Sequence, residues 1–428
     1  MKKLYFSVAV TMFAFGAFAE ATVGGLVVRQ QWPWNNKVTV DFVLSDPSGA
    51  PHDLKIVFKN GETVLDVPTT ALVGDLEDVL PGARRIVWDP TGVSDNPLES
   101  LTATVTVADD PKKFMVLDLS GGSTVEQFPV SFVSHPPKAG WAADQANYTT
   151  KLVLRRINAG TYTVGSPETE GNRVELHEPL RQVALSKGYY LALFPTTNKQ
   201  YEQIVGARPS GSITGDDAPV YMVSLAMLRG ENAHLTPADG GTWPKSGEGS
   251  FFANFNARVA LGEDLAGYQF DVPSGAQWEI ACRAGTTTAW YNGLENDPDL
   301  PDFAARLGEI ARYSGSRSSA VPTVTARRPN PWGFYDFIGN TREWLRDFFN
   351  VQGSITDYRN AVGGVDGVVR WTGNAGLGCS YTRGGYEWCA AHEVRTARWT
   401  YAGYATPTGT GNADRELGFR IACTYFGD

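Results

Sequence analysis

A series of short segments rich in glycine, proline and aromatic residues runs through the second two-thirds of the chain and restricts its fold more than any other feature. The first segment, residues 157–168, predicts a strand with a glycine turn on each side. Thr197 or Asn198 can cap one short helix, while Ser274 can cap a second helix that Gly285 would end. Such segments favour short strands, tight turns and loops over a bundle of long helices.

The composition agrees with folded domains of this kind. Hydrophobic residues make up 42% and charged residues 19% of the 428 positions, so the chain can bury substantial cores and is long enough for two or three domains. The 46 glycines, 12 tryptophans and 17 tyrosines suit tight turns packed against aromatic rings. The formal net charge of -9 argues against a nucleic-acid partner, because phosphates require a basic surface.

The N-terminus has the features of a secretory signal peptide. Lys2 and Lys3 precede an apolar run over residues 4–18, and Ala17 and Ala19 supply the small residues that signal peptidase accepts. The run is short for a membrane span, although a retained anchor is the alternative. We therefore expect residues 1–19 to be removed, the mature chain to be secreted or periplasmic, and no membrane span to remain after cleavage.

Residues 22–134 show the alternation of a small β-sandwich. Apolar side chains recur at every second position in four short stretches, which places one face of each strand inward. The stretches cover residues 37–44, 54–58, 85–88 and 101–107. Asn60 and Gly61 suit a type I′ hairpin turn, and the regular strand spacing predicts an all-β, immunoglobulin-like module that acts as an adaptor or spacer.

Prolines mark the boundary between two predicted domains. Pro136 and Pro137 stiffen residues 135–147 and interrupt both helix and ladder hydrogen bonding, so we interpret this segment as a linker. The second domain is predicted to cover residues 148–428. All four cysteines lie in it, and the first domain must therefore fold without disulfide bonds.

Six segments of the second domain stand in an order that is typical of one family. They read INAGTYTVGSPE from residue 157, PTTNKQYE from residue 195, VPSGAQWEIACRAG from residue 272, NPWGFYDFIGNTREW from residue 330, RGG from residue 383 and GFR from residue 418. Together they resemble the domain of sulfatase-modifying factors, the formylglycine-generating enzyme family. The resemblance covers the C-terminal two-thirds of the chain and implies an irregular α+β fold related to C-type lectins.

Active members of that family, as the resemblance implies, oxidise a substrate cysteine with copper and oxygen, and two thiolates spaced C-x-x-x-x-C bind the metal. Soft thiolates of this kind select Cu(I). Cys389 matches the first thiolate, but Val394 stands at the second position and cannot bind a metal. Tyr386, Glu393 and Arg342 replace a serine, a tyrosine and an aromatic residue of the family pattern. We therefore expect neither copper nor formylglycine generation, and Cys389 is the catalytic candidate of a degenerate site.

Other roles for the cysteines are open. Cys389 is predicted to form a disulfide bond with Cys379 or Cys423, since an exported chain folds in an oxidising compartment. A mixed metal site of Cys389 and His392 is the alternative, because the two residues come within reach if the segment turns. Cys282 is expected to be a buried thiol or part of a second bridge.

The segment from Asp336 to Glu343 is the predicted metal site. The resemblance implies that it binds Ca²⁺ through the side chains of Asp336 and Glu343 and the carbonyls of Gly339 and Thr341. Hard oxygen ligands close together in sequence suit Ca²⁺, which would stabilise a fold with few ladder hydrogen bonds. The alternative is that the two carboxylates are turn residues or pair with neighbouring arginines.

Aromatic residues and arginines crowd the segment after residue 380. Such side chains make good contact surfaces for peptides or sugars, although the rings could equally belong to the core. Six side chains are predicted to line a ligand groove: Arg383, Tyr386, Trp388, His392, Arg395 and Arg398. We expect a non-catalytic, exported module that binds a peptide, protein or glycan. A metal-dependent oxidase that acts on a cysteine of an exported protein is the alternative.

Overall fold

The computed structural model describes residues 20–31, 34–67, 71–90, 98–174, 178–212, 214–230, 248–319, 322–350, 378–402 and 416–425. The chain divides into two compact units, residues 1–110 and 111–428. The predicted signal peptide, residues 1–19, lies outside the described residues.

The N-terminal unit is a sandwich of two antiparallel sheets. Its strands are β1 (Thr22–Gln30), β2 (Val38–Ser45), β3 (Leu54–Asn60), β4 (Thr63–Val64), β5 (Leu72–Gly74), β6 (Gly82–Trp88) and β7 (Leu101–Val107). One sheet has the order β1-β2-β6-β5 and the other the order β4-β3-β7. Alternating apolar side chains from both sheets meet in one core, where the rings of Phe58 and Trp88 lie 4.7 Å apart. The predicted all-β module is therefore confirmed.

The hairpin between β3 and β4 turns one residue later than predicted. Asn60 pairs with Thr63 across the ladder, so the two loop residues are Gly61 and Glu62. Of these two, only Gly61 has a positive φ, 60°. A positive φ at the first loop position alone is the pattern of a type II′ turn, and the predicted type I′ turn is wrong.

A buried histidine holds the loop before β3 in place. His52 Nδ1 lies 2.7 Å from Asp109 Oδ2, and His52 Nε2 lies 3.1 Å from Asp46 Oδ2. Burial disfavours the charged ring, but the hydrogen bonds to the two carboxylates outweigh that cost and raise the pKa of His52 above its ordinary value. Asp46 also accepts hydrogen bonds from the backbone of Ser48 and Ala50, so the whole turn depends on this contact.

The stability of the N-terminal unit should fall as His52 loses its proton. Because its folded-state pKa is raised, the stabilisation is complete below the unfolded-state pKa of about 6.5 and is lost as the pH rises through the folded-state pKa. We expect scanning calorimetry of the full chain to show a lower melting temperature at about pH 8 than at about pH 5.5, and a smaller difference in His52→Gln. His392→Gln, at an exposed histidine, is the control. Equal pH dependence in the wild type and His52→Gln would contradict this account.

The C-terminal unit is built around a six-stranded sheet of order β14-β21-β13-β10-β8-β9. These strands are β8 (Phe114–Asp118), β9 (Val130–Val133), β10 (Lys151–Ile157), β13 (Tyr189–Ala192), β14 (Tyr268–Asp271) and β21 (Ala422–Tyr425). Successive residues of β10 face two different cores, Leu152 and Leu154 on one side and Val153 on the other. The sheet is therefore the central layer of the unit, with apolar packing on both faces.

Smaller sheets and short helices surround this layer. The remaining strands are β11 (Gly160–Val164) paired with β12 (Arg181–Leu185), β15 (Ala311–Arg312) paired with β16 (Ile338–Gly339), and a sheet of β19 (Trp399–Ala402), β18 (Gly378–Arg383), β17 (Arg342–Asn350) and β20 (Leu417–Gly418). The helices are α1 (Asn198–Val205), α2 (Leu225–Arg229), α3 (Phe251–Ala257), α4 (Gly275–Arg283) and α5 (Phe303–Gly308). None of these described helices has the length and apolar character to span a membrane. The predicted irregular α+β fold is confirmed.

Helices α1 and α4 begin where the sequence predicts a cap. The hydroxyl of Thr197 accepts a hydrogen bond from the N–H of Gln200, whose side chain accepts from the N–H of Thr197. Thr197 and not Asn198 is therefore the cap of α1. Ser274 forms the same capping box on α4, and Ala284 ends that helix in the left-handed conformation.

The boundary between the two units lies earlier than predicted. Residues 22–134 were assigned to the sandwich and residues 135–147 to a linker, yet β8 and β9 pair with each other and β8 pairs with β10. The ring of Trp141, inside the predicted linker, lies 5.2 Å from that of Phe114 in a core of the C-terminal unit. Alternation of apolar residues identifies a strand but not the sheet that it joins, so β8 and β9 are predicted in the sandwich but belong to the C-terminal unit.

Candidate functional site

Two glycines begin the loop that carries the candidate cysteine. Gly384 and Gly385 follow β18 with φ values of 90° and 69°. A Cβ on Gly384 would lie 3.0 Å from the carbonyl oxygen of Phe337, and a Cβ on Gly385 would lie 2.6 Å from Cγ1 of Val394. Only glycine permits this approach, which brings the loop against the segment around Val394.

Cys389 lies in this loop with its side chain packed into a core. Its N–H donates to the carbonyl of Tyr386, and its carbonyl accepts from the N–H of Ser314, each at 3.0 Å. The residue is only 8% exposed, and burial raises the pKa of its thiol to about 11. At neutral pH the side chain is therefore protonated, whereas nucleophiles and metal ligands are thiolates.

Val394, at the position of the second family thiolate, is fully buried. It ends a short 3-10 turn, Ala391–Val394, and its carbonyl accepts from Trp290 Nε1 at 3.1 Å. The carboxylate of Glu393 accepts from the N–H of Ala390 at 2.7 Å and fixes the start of the turn. A buried apolar side chain thus stands at the position of the second family thiolate.

The structure bears differently on the predicted disulfide bonds, the buried thiol and the mixed metal site of the cysteines. Cys282, Cys389 and Cys423 are free and buried, as expected for Cys282. A bridge between Cys389 and Cys423 is wrong, because these residues belong to different cores of the C-terminal unit. The side chain of Cys379 lies outside the described ones. His392 is exposed, and among the described residues Cys389 belongs to no group of three His, Cys, Asp or Glu ligands.

An ion pair between Arg342 and Glu416 lies beside the Cys389 loop. Arg342 Nη2 at the start of β17 donates to the carboxylate of Glu416, and the guanidinium of Arg342 lies 5.0 Å from the ring centroid of Tyr386. Burial and the hydrogen bond to Glu416 raise the pKa of Tyr386 to about 12. A charged pair and a phenol therefore occupy the neighbourhood in which the family pattern has an aromatic residue and a serine.

Two of the predicted ligand-binding arginines are interior. Arg383 pairs with Glu279 at 2.8 Å and donates to the carbonyl of Thr396. Arg395 pairs with Glu178 at 2.8 Å and also with Glu170. Arg383 and Arg395 have almost no exposed surface, so the prediction that they line a ligand groove is wrong. Buried charges need partners, and arginines in a loop-rich domain supply them.

The remaining predicted groove residues keep access to solvent. Trp388 is 57% exposed, His392 is exposed and Tyr386 is half-buried. The side chain of Arg398 is 23% exposed and lies 3.9 Å from Glu178. These four side chains, and not the whole predicted set, can contact a molecule outside the protein.

The predicted calcium segment forms a buried, polar centre. Asp336, with a φ of 58°, accepts a hydrogen bond from the Asn340 side chain at Oδ2, whereas its Oδ1 is buried without a hydrogen-bond partner. Burial raises the pKa of Asp336 to about 7. Glu343 accepts from Trp278 Nε1 at 2.7 Å and pairs with Arg420 at 3.1 Å. One carboxylate is thus paired, and the other has an unused oxygen.

Residues 142–425 match the sulfatase-modifying factor enzyme 1-like domain. The chain belongs to this family. The matched residues fall within the C-terminal unit and contain all of the site described above.

Several relatives of this family member carry different names. Formylglycine-generating enzyme of Mus musculus is 25% identical over 300 residues, which are 64% of this chain and 76% of the relative. Chaperone protein LppX of Paenibacillus barcinonensis is 27% identical over 183 residues, 38% of this chain and 63% of the relative. Serine/threonine-protein kinase pkn1 of Chlamydia pneumoniae is 27% identical over 214 residues, 47% of this chain and 28% of the relative. The chain thus spans less than two thirds of the last two proteins.

Two solved structures overlap a similar share of the chain. The structure of PvdO from Pseudomonas aeruginosa has a TM-score of 0.45 and 18% identity, and covers 63% of this chain and 94% of that one. Treponema denticola variable protein 1 has a TM-score of 0.42 and 19% identity, and covers 64% of this chain and 95% of that one.

The family's copper chemistry does not fit the residues of this sulfatase-modifying factor-like domain. A two-thiolate site needs a second sulfur donor, and the corresponding side chain is the buried Val394. No reaction step through copper is therefore assigned to this chain.

The family's calcium position fits the residues in part. The unpaired, buried Oδ1 of Asp336 is a hard oxygen donor that a cation would satisfy. Both oxygens of Glu343 are already engaged by Trp278 and Arg420, so this carboxylate would be shared between the ion and those donors. Bound calcium would supply positive charge that holds the turn around Asp336 together.

Two residues of this region were missed by the sequence analysis. Glu416 directly precedes the Leu417–Gly418 strand, which pairs with the start of β17 and so brings Glu416 to Arg342. Arg317 lies in an exposed serine-rich loop and packs on Trp388. The acidic residue next to a family motif was a usable signal for Glu416, whereas nothing in the local pattern singles out Arg317.

The buried position of Arg395 predicts a large loss of stability on truncation. Arg395→Ala should destabilise the C-terminal unit by about 3–5 kcal/mol, because it leaves the buried Glu170 without its ion-pair partner and Glu178 with only the more distant Arg398. Urea unfolding of the full chain measures the change. Arg306→Ala, at a half-exposed arginine of α5, is the control and should alter stability by about 0.5 kcal/mol or less. Similar values for the two variants would contradict the structural role of Arg395.

Proposed function

We propose that the chain is an exported, non-catalytic binding module that uses the exposed side chains of the Cys389 loop to hold a polypeptide. The observation that carries the proposal is the fully buried valine at the second thiolate position. A single thiol, with a buried valine at the position of the second one, does not provide the paired soft ligands that copper-dependent oxidation of a cysteine would need.

The retained scaffold supports a binding role. The capping boxes, the close Gly384–Gly385 loop and the buried ion pair of Arg420 with Glu343 hold the site in one geometry. A rigid frame of this kind lowers the entropy that a binding site loses when it takes up a partner. Side chains around the loop, Tyr386, Trp388 and His392, are accessible and include the aromatic types that are enriched at protein interfaces.

A polypeptide partner is favoured over other ligands. One relative is named a chaperone protein and another a protein kinase, and both names denote proteins that work on polypeptides. The net charge of -9 disfavours a nucleic acid. A leading segment with the features of a signal peptide supports an exported partner as well.

Oxygen uptake separates this proposal from a cysteine oxidase. The mature chain is purified, its bound metals are measured, and oxygen consumption is recorded after addition of a cysteine-containing sulfatase peptide. We expect no stoichiometric copper or iron and no uptake above that of Cys389→Ser, since a protonated thiol without a second sulfur donor cannot support the reaction. Stoichiometric copper or iron with turnover that disappears in Cys389→Ser would overturn the proposal in favour of the oxidase.

We also propose a structural calcium ion at Asp336, and two matched variants test it. At saturating calcium the free energy of unfolding of the wild type should be about 1–3 kcal/mol higher than in chelator, because the ion binds only the folded state. Asp336→Asn should abolish that gain. Glu343→Gln should lower the melting temperature both with calcium and in chelator, since it weakens the pairing of the buried Arg420. Equal melting temperatures of the wild type with and without calcium would refute the calcium site.

A further inference from the structure

An arginine and a tryptophan are stacked on the surface of the C-terminal unit. The guanidinium carbon of Arg317 lies 3.5 Å from the ring centroid of Trp388. Both side chains are exposed, although tryptophan is usually highly buried. Among the residues that the structure describes, Arg317 has no carboxylate partner, whereas Arg312 and Arg328 nearby each pair with a glutamate.

The loop that carries Arg317 is held in place by two other arginines. Arg312 Nη2 donates to the carbonyl of Ser318, and Arg327 Nη2 donates to the carbonyl of Ser316, each at 2.9 Å. The two carbonyls that flank Arg317 are thus occupied. The backbone below its guanidinium is fixed before any partner arrives, which reduces the cost of binding.

The same loop is attached to the candidate site. Arg312 pairs with Glu387 at 2.7 Å, and Glu387 directly precedes Trp388 in the chain. On the other side, the N–H of Ser314 donates to the carbonyl of Cys389. The stack is therefore connected to the loop that carries Cys389 and is not an isolated surface feature.

We propose that the stack of Arg317 on Trp388 binds a carboxylate of an acidic segment in the polypeptide partner. The indole covers one face of the guanidinium, and the N–H groups at its edge can donate two parallel hydrogen bonds to a carboxylate. The exposed part of the indole offers apolar contact to a neighbouring side chain of the same segment. This inference rests on the proposed binding function.

Local charge favours a short acidic segment over a long polyanion. Arg312 is neutralised by Glu387, and Arg342 by Glu416. Within the described parts of the chain, Arg317 therefore supplies a positive charge that no carboxylate compensates, in a protein of net charge -9. One such charge suits one carboxylate. A continuous polyanion such as a sulfated polysaccharide would meet repulsion from the rest of the surface.

Fluorescence anisotropy with the full-length protein tests the proposal. The probe is a fluorescein-labelled peptide of glutamate, glycine and leucine, and the matched probe carries glutamine in place of each glutamate. We expect the wild type to bind the glutamate peptide and Arg317→Ala to weaken that binding about tenfold or more. The affinity of Arg317→Lys for the glutamate peptide should lie between those of the wild type and Arg317→Ala. An ammonium keeps the positive charge but lacks the planar pair of N–H donors of a guanidinium. Arg306→Ala, at an arginine of α5, is the control and should bind like the wild type.

Several outcomes would overturn the inference. They are failure of the wild type to bind the glutamate peptide, equal binding of the glutamate and glutamine peptides, equal affinity of Arg317→Ala and Arg306→Ala, and preferential binding of heparin over the peptide. Peptide binding that is unchanged in Arg317→Ala would contradict the role of Arg317 but would still agree with the proposed binding function. Oxygen consumption with bound copper or iron would instead contradict the proposed function. Failure of the Arg317 inference can therefore be told apart from failure of the proposed function.

Discussion

Buried arginine–carboxylate pairs connect distant segments of the C-terminal unit, and the geometry of the site depends on them. Across long distances in sequence they join Arg420 to Glu343, Arg383 to Glu279, and Arg395 to Glu178 and Glu170, while Arg283 pairs with Glu279 within α4. Burial alone would raise the pKa of Glu279, but Arg383 and Arg283 outweigh it and hold that pKa below its usual value. Removal of one partner would leave an uncompensated charge in the interior, so loops with few ladder hydrogen bonds are fixed by these contacts.

This network explains why the family motifs persist in a chain that lacks the copper ligands. Arg383 and Arg420 belong to two of the motifs, and both hold the frame from inside. Near Cys389, the positions that differ from the family pattern hold Val394, Tyr386 and Arg342. Scaffold and reaction are therefore separable. The scaffold depends on buried ion pairs, whereas the family's reaction depends on a few side chains in one loop.

Local patterns predicted those parts of the molecule that local physics decides. The cap at Ser274 and the strand β7 follow from capping chemistry and alternation, and the structure has both. The sheet that β8 joins and the burial of Arg395 depend on partners far away in sequence, which no local pattern reveals. Arg317 cannot be predicted from its local pattern either, because its proposed role arises from contact with Trp388 in a different loop.

Cys389, without a second sulfur donor at position 394, cannot hold copper. The most direct measurement of this is the Cu(I) affinity of the wild type, Cys389→Ser and Val394→Cys in anaerobic competition with a chromophoric chelator. We predict that the wild type and Cys389→Ser compete equally weakly, and that Val394→Cys, which supplies a second sulfur, binds Cu(I) more tightly. Tight binding by the wild type that is lost in Cys389→Ser would contradict the account.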